Sequence, residues 1–148
     1  MKKIFLFLLG ATLIMSCKKK EDIIAEDCIK TGAADPQIAQ NLILGTWQLK
    51  SSQGWMYSED VPLVVLTFEE NKQVTVSKDN QVVYKGLYGI RESNQSLFLT
   101  DSSGKDQYGG TAYLTGQLKV CEQSLSIDQG SPADWPIYNY VRKDMLSN

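Results

Sequence analysis

The 148-residue chain predicts an all-β fold: a small eight-stranded antiparallel meander β-barrel behind a short N-terminal helix. Three observations lead there. From Gly45 onward, eight runs of alternating or β-branched residues follow one another, separated by turn residues. None of the intervals is long enough for a crossover helix, so successive strands pair antiparallel. Eight sequential strands with no helical layer must bury one face on themselves, as a closed barrel or a sandwich. The length admits one domain with a short extension.

The first element is an address. Lys2 and Lys3 precede an apolar run from Ile4 to Met15. Crossing a bilayer as a helix takes roughly 20 apolar residues, so the run is too short for a stable span and fits the core of a secretory signal. It ends Leu13-Ile14-Met15-Ser16-Cys17, without the small residues of an ordinary cleavage site. Ile14, Ser16 and Cys17 resemble the end of a bacterial lipoprotein signal. That resemblance implies removal of residues 1–16, diacylglycerol on the Cys17 thiol and a further acyl chain, of the palmitate kind, on the new N-terminus. Several acyl chains hold a membrane durably where one is marginal. The expected location is the outer membrane of a Gram-negative envelope.

Residues 17–34 read as a lipidated tether, charged or small and without a core-forming period. Lys20-Glu21-Asp22 resembles a surface-export signal of one Gram-negative phylum, and equally suits a solvated tether. Cys28 and Cys121 remain as an even pair. Behind a signal peptide they are expected to form a disulfide that staples the N-terminal arm to a late strand; two reduced, buried thiols are the alternative. The chain-entropy account gives closure of so long a loop about 4.6 kcal/mol.

The barrel domain is expected over 35–148. Asp35-Pro36 starts a short helix, with Asp35 accepting the first free N–H groups and Pro36 at the first helical position. Ile38, Leu42 and Ile43 give it one apolar side. Strands are predicted over 46–52, 63–69, 73–78, 82–90, 96–100, 112–121, 124–128 and 137–143. Asp79-Asn80 between two alternating runs predicts a tight hairpin. Val82, Tyr84, Gly86, Tyr88 and Ile90 form one predicted stripe, with Gly86 and Gly89 allowing the bend a small barrel needs. Leu114, Gly116, Leu118 and Val120 form another.

Leu44-Gly45-Thr46-Trp47-Gln48-Leu49 opens the first strand directly after the helix. This Gly-x-Trp resembles the opening motif of the lipocalins and their calycin relatives. Tyr138-Asn139-Tyr140-Val141-Arg142-Lys143 resembles the closing strand of small lipocalin-like domains in Gram-negative lipoproteins. The resemblance covers about residues 41–143. It implies that Trp47 lies across the closed end of the barrel and that a late basic residue, here Arg142, packs over it. An Arg there can stack on the indole and bond to nearby carbonyls. The strands are shorter than in ligand-carrying lipocalins, and a compact barrel of this size can be filled by its own side chains.

The composition removes much chemistry. With no histidine, the Ser-His-Asp and Cys-His nucleophilic systems lack their base, and His-based zinc and haem sites are excluded. A net charge of −2 offers no basic footprint for nucleic acid. The acidic pairs Glu59-Asp60 and Glu69-Glu70 are sequence neighbours that point to opposite faces of a strand, so neither is preorganised for a glycosidase. No CxxC, phosphate loop or calcium loop is present. The expectation is therefore a non-enzyme with no metal and no cofactor. Gly54-Trp55-Met56-Tyr57 falls in the connection that covers the open mouth in lipocalins. Trp55, Met56 and Tyr57 would suit a lid over an apolar ligand, or a loop packed on the rim. Tyr108 and Trp135 are further rim candidates. Two functions follow as expectations: a binding module for a small apolar or amphipathic ligand, or a protein-interaction module of the envelope with a filled barrel.

Overall fold

The computed structural model describes residues 32–53, 61–102, 110–130 and 135–144. One helix, α1 (Pro36–Leu42), precedes eight strands: β1 (Gly45–Gln53), β2 (Val64–Phe68), β3 (Gln73–Lys78), β4 (Gln81–Ser93), β5 (Ser96–Asp101), β6 (Gly116–Val120), β7 (Ser124–Asp128) and β8 (Ile137–Arg142). Each strand pairs antiparallel with the next, and β8 returns to β1, closing the barrel in chain order. Closure leaves no unpaired strand edge. The fold is the eight-stranded antiparallel meander with one short helix that the sequence predicts.

Local chemistry explains the elements. The Asp35 carboxylate accepts from the N–H groups of Gln37 (2.7 Å) and Ile38 (2.9 Å), and Pro36 opens the helix. Asp79 and Asn80 both have positive φ, as a two-residue hairpin with the strands' own twist requires. Asn94 and Gln95 repeat the arrangement between β4 and β5.

The interior is lined by alternate residues of every strand. Leu66, Val76, Leu118, Ile127 and Tyr138 are among them, and every core residue is at most 5% exposed. Both ends are covered. At one end α1 lies against β4, with Ala39 and Ile43 fully buried. At the other, the β5–β6 connection turns into a 3₁₀ helix (Gly110–Tyr113) that reaches β3 and β4 and delivers Leu114, fully buried, into the core.

Four expectations are corrected. The run 112–121 does not begin as a strand: its first part is the 3₁₀ helix and only Gly116–Val120 joins the sheet. The Tyr140 hydroxyl donates to the Tyr113 carbonyl (3.0 Å), and the Tyr113 ring packs on Tyr138 (5.2 Å between centroids), which tie this segment across the opening. β4 runs three residues further than expected, to Ser93. Val82 leaves its stripe: Val76 pairs with Tyr84 but Ser77 pairs with Val82, so Val83 is an extra residue and the preceding face is inverted. Val82 is accordingly 65% exposed. On α1, Ile38 points to water and the small Ala39 packs inward instead.

Candidate functional site

Side chains of the first and last strands meet at the α1 end of the barrel. Trp47 pairs with Arg142 across β1 and β8. The Arg142 guanidinium stands 4.4 Å from the indole ring centroid. It donates through Nη2 to the Leu42 carbonyl (2.6 Å), through Nη1 to Leu44 (2.8 Å) and through Nε to Glu122. Trp47 Nε1 donates to the Ile43 carbonyl between them (2.7 Å). The last carbonyls of a helix lack partners within the helix. Here three consecutive ones, from Leu42 to Leu44, are answered by two side chains. The cation also sits at the negative end of the helix, where it is favoured. Gly45 has φ +111°, and a Cβ there would come within 2.8 Å of Arg142 Nη1. The Gly-x-Trp spacing is thus what lets the guanidinium reach the helix. This constellation is structural; no polar group in it is left facing a substrate.

The interior was the second candidate. It holds tyrosine hydroxyls, and those of Tyr84, Tyr88 and Tyr140 have partners. Gln40 donates to the Tyr88 oxygen (2.5 Å), and Tyr84 donates to Asp101 (2.5 Å). Tyr84 lies over Gly86, where any Cβ would collide with its ring, so that glycine makes room for the side chain. Burial raises the phenol of Tyr88, partly offset by the Gln40 bond, and raises that of Tyr140 well above the ordinary range. Neutral phenols with satisfied hydroxyls are packing groups here.

The clefts lie outside, on the barrel wall. One, of about 430 Å³, is lined by Arg91, Phe98, Gln117, Asp128, Gln129 and Trp135, among others. A second, of about 230 Å³, shares Gln117 and Asp128 and adds Gln53, Lys119, Ser126 and Asn139. The register joins them. Arg91 pairs with Phe98, Phe98 with Gln117, Gln117 with Asp128, Asp128 with Ile137 and Ile137 with Gln53. One outward row therefore crosses six strands, from β4 round to β1. Arg91 lies 5.8 Å from the Phe98 ring centroid, and Gln117 Nε2 donates to Ser96 Oγ (3.0 Å).

Of the residues singled out from sequence, Trp47 and Arg142 are brought together. Trp135 stands 47% exposed at the first cleft, away from the barrel interior. Cys121 lies just past the end of β6, where its N–H donates to the Ser124 carbonyl (2.9 Å). Cys17, Cys28, Trp55, Met56, Tyr57 and Tyr108 lie outside the described residues. The sequence reading missed Arg91, Phe98, Gln117 and Asp128, which lie on four different strands. Their shared signal is outward parity, which becomes a site only once the register is known. Among the described residues no group of three Cys, Asp or Glu side chains is placed to hold a metal. No protein-family model, curated protein or solved structure matches this chain.

Proposed function

We propose that this chain is a lipocalin-like envelope lipoprotein that acts as a non-catalytic protein-interaction module with a filled barrel. The observation that carries the reading is the state of the interior. The core residues are between 0% and 5% exposed, and the barrel is covered at one end by α1 and at the other by the 3₁₀ helix. A small apolar ligand needs a lined hollow. Among the described residues the clefts lie on the outer wall instead.

A partner has an apolar surface to use. Leu63, Val82 and Val83 are exposed near the β3–β4 hairpin, and the Asp79 N–H bonds to the Leu63 carbonyl (2.8 Å) to hold the two segments together. Grouped exposed aliphatics of this kind mark contact surfaces more often than solitary ones do.

Attachment in this reading comes from acyl chains on Cys17, with the protein at the outer membrane of a Gram-negative envelope and Lys20-Glu21-Asp22 as its surface-export signal. The barrel wall itself carries Lys85, Gln117 and Lys119 outward and packs its core residues inward, unlike a barrel whose outer face is a continuous apolar band. The disulfide partner of Cys121 in this reading is Cys28. Its support is the Ala33 N–H, which donates to the Val120 carbonyl (3.1 Å) and brings the arm alongside the end of β6.

Native mass spectrometry on the protein released gently from an envelope extract tests the reading. The expected result is the bare mature chain, alone or with a stoichiometric protein partner. Its non-reducing denatured mass should be lower by about two hydrogens for the disulfide. A discrete small-molecule adduct that vanishes on denaturation overturns the filled-barrel reading in favour of a ligand carrier.

A further inference from the structure

The row of outward side chains from Arg91 to Gln53 has a chemistry the protein-interaction reading does not use. We propose that this outer-wall groove binds an oligosaccharide chain laid across β4, β5, β6, β7, β8 and β1. The row includes none of the exposed aliphatics Leu63, Val82 and Val83, so it goes beyond that reading and does not depend on it.

Four features of the groove point to a sugar. Its polar groups are mostly neutral: the amides of Gln53, Gln117, Gln129 and Asn139 and the hydroxyl of Ser126. An amide offers two N–H donors and a carbonyl acceptor, which matches hydroxyls that both donate and accept. The bond from Gln117 to Ser96 uses one of those N–H groups and holds the amide in place. The first cleft adds two aromatic rings, Phe98 and the 47%-exposed Trp135, as apolar platforms for the C–H faces of a pyranose. Asp128 supplies one carboxylate midway, shared by both clefts. Finally, five strand steps at roughly 4.8 Å each make the row about 24 Å long, a length that suits a chain of several units rather than a single sugar.

Other occupants fit less well. An extended peptide adds to a sheet through an open edge, and the closed barrel has none. An amphipathic helix needs an apolar stripe, whereas Phe98 and Ile137 stand apart in the row with two polar residues between them. A nucleic-acid strand needs a basic track, and here Arg91 and Lys119 flank an acidic residue.

The test uses isotope-labelled full-length protein in a sugar-free detergent, titrated with chito-, cello-, malto- and galacturonate hexasaccharides. The readout is the side-chain amide signals of Gln53, Gln117 and Asn139 and the indole signal of Trp135. At least one hexasaccharide should shift this set together, with a dissociation constant below about 1 mM. Its disaccharide should bind at least about tenfold more weakly. Trp135→Ala and Gln117→Ala, both on the outer wall, should each weaken binding about tenfold while leaving the circular dichroism spectrum unchanged. The proposal is overturned if no member of the panel shifts these signals, if the shifts fall elsewhere, or if both variants bind like the parent.

Discussion

A single guanidinium ties the last strand of the barrel to the start of the first. Arg142, near the C-terminal end of the barrel, answers the carbonyls of Leu42 and Leu44 beside α1 and lies on Trp47. The planar fork matters more than the charge. A lysine has a point charge that cannot reach carbonyls two residues apart while covering an indole. Losing the fork leaves buried acceptors without partners, each at about 1–3 kcal/mol. Arg142→Lys should therefore lower the urea midpoint by an amount equivalent to about 2 kcal/mol, with the slope of the transition unchanged. A midpoint equal to that of the parent would show that the carbonyls are hydrated and the fork is idle.

At the scale of elements, the segment between β5 and β6 decides the character of the barrel. Had residues 112–115 continued the strand, the opening above Tyr138 and Tyr140 would lack its cover. The 3₁₀ helix instead drops Leu114 into the core, and the Tyr140 hydroxyl holds the turn by its Tyr113 carbonyl. Leu114→Ala removes a fully buried side chain from this plug. The expected cost is about 2–5 kcal/mol, with more of it the less the plug collapses. The variant should also take up a small apolar probe, detectable as added mass or as raised thermal stability, that the parent excludes. Unchanged stability in Leu114→Ala would mean that the plug contributes nothing to the core. The bulge at Val83 is the other local decision: it turns Val82 outward and creates the aliphatic patch that the interaction reading uses.

For the whole molecule, the buried tyrosines set a limit on the alkaline side. Burial raises the phenols of Tyr88 and Tyr140 in the folded chain. In the unfolded chain they ionise near about 10. Below that value both states hold the proton, and these groups add no pH dependence. Above it the unfolded chain sheds protons that the folded chain keeps, so stability falls as pH rises. Urea midpoints should be level from about pH 8 to about pH 9.5 and drop beyond about pH 10. Tyr140→Phe should cost about 1 kcal/mol near neutrality through loss of the bond to Tyr113, and should flatten the alkaline fall. An alkaline slope unchanged in Tyr140→Phe would assign the fall to other groups.

What the amino-acid sequence determined by itself was whatever residues close in the chain decide together. The order of eight strands followed from alternation, and the Asp79-Asn80 hairpin from residues that tolerate positive φ. The helix start followed from Asp35 and Pro36, whose partners lie two and three residues away. Trp47 and Arg142 were legible for another reason, since their pattern resembles a known opening and closing strand. Tertiary structure alone decided the rest. Whether residues 112–115 form a strand depends on what Tyr138 and Tyr140 offer across the opening, a contact between distant parts of the chain. The inward turn of Ala39 depends on the wall against which α1 packs. The groove from Arg91 to Gln53 depends entirely on register, because its members come from six strands and none is a sequence neighbour of another. Side-chain alternation carries the parity of a strand but no information on its partner's offset. Closure of the barrel supplies that offset, and with it the outer surface on which this protein has its clefts.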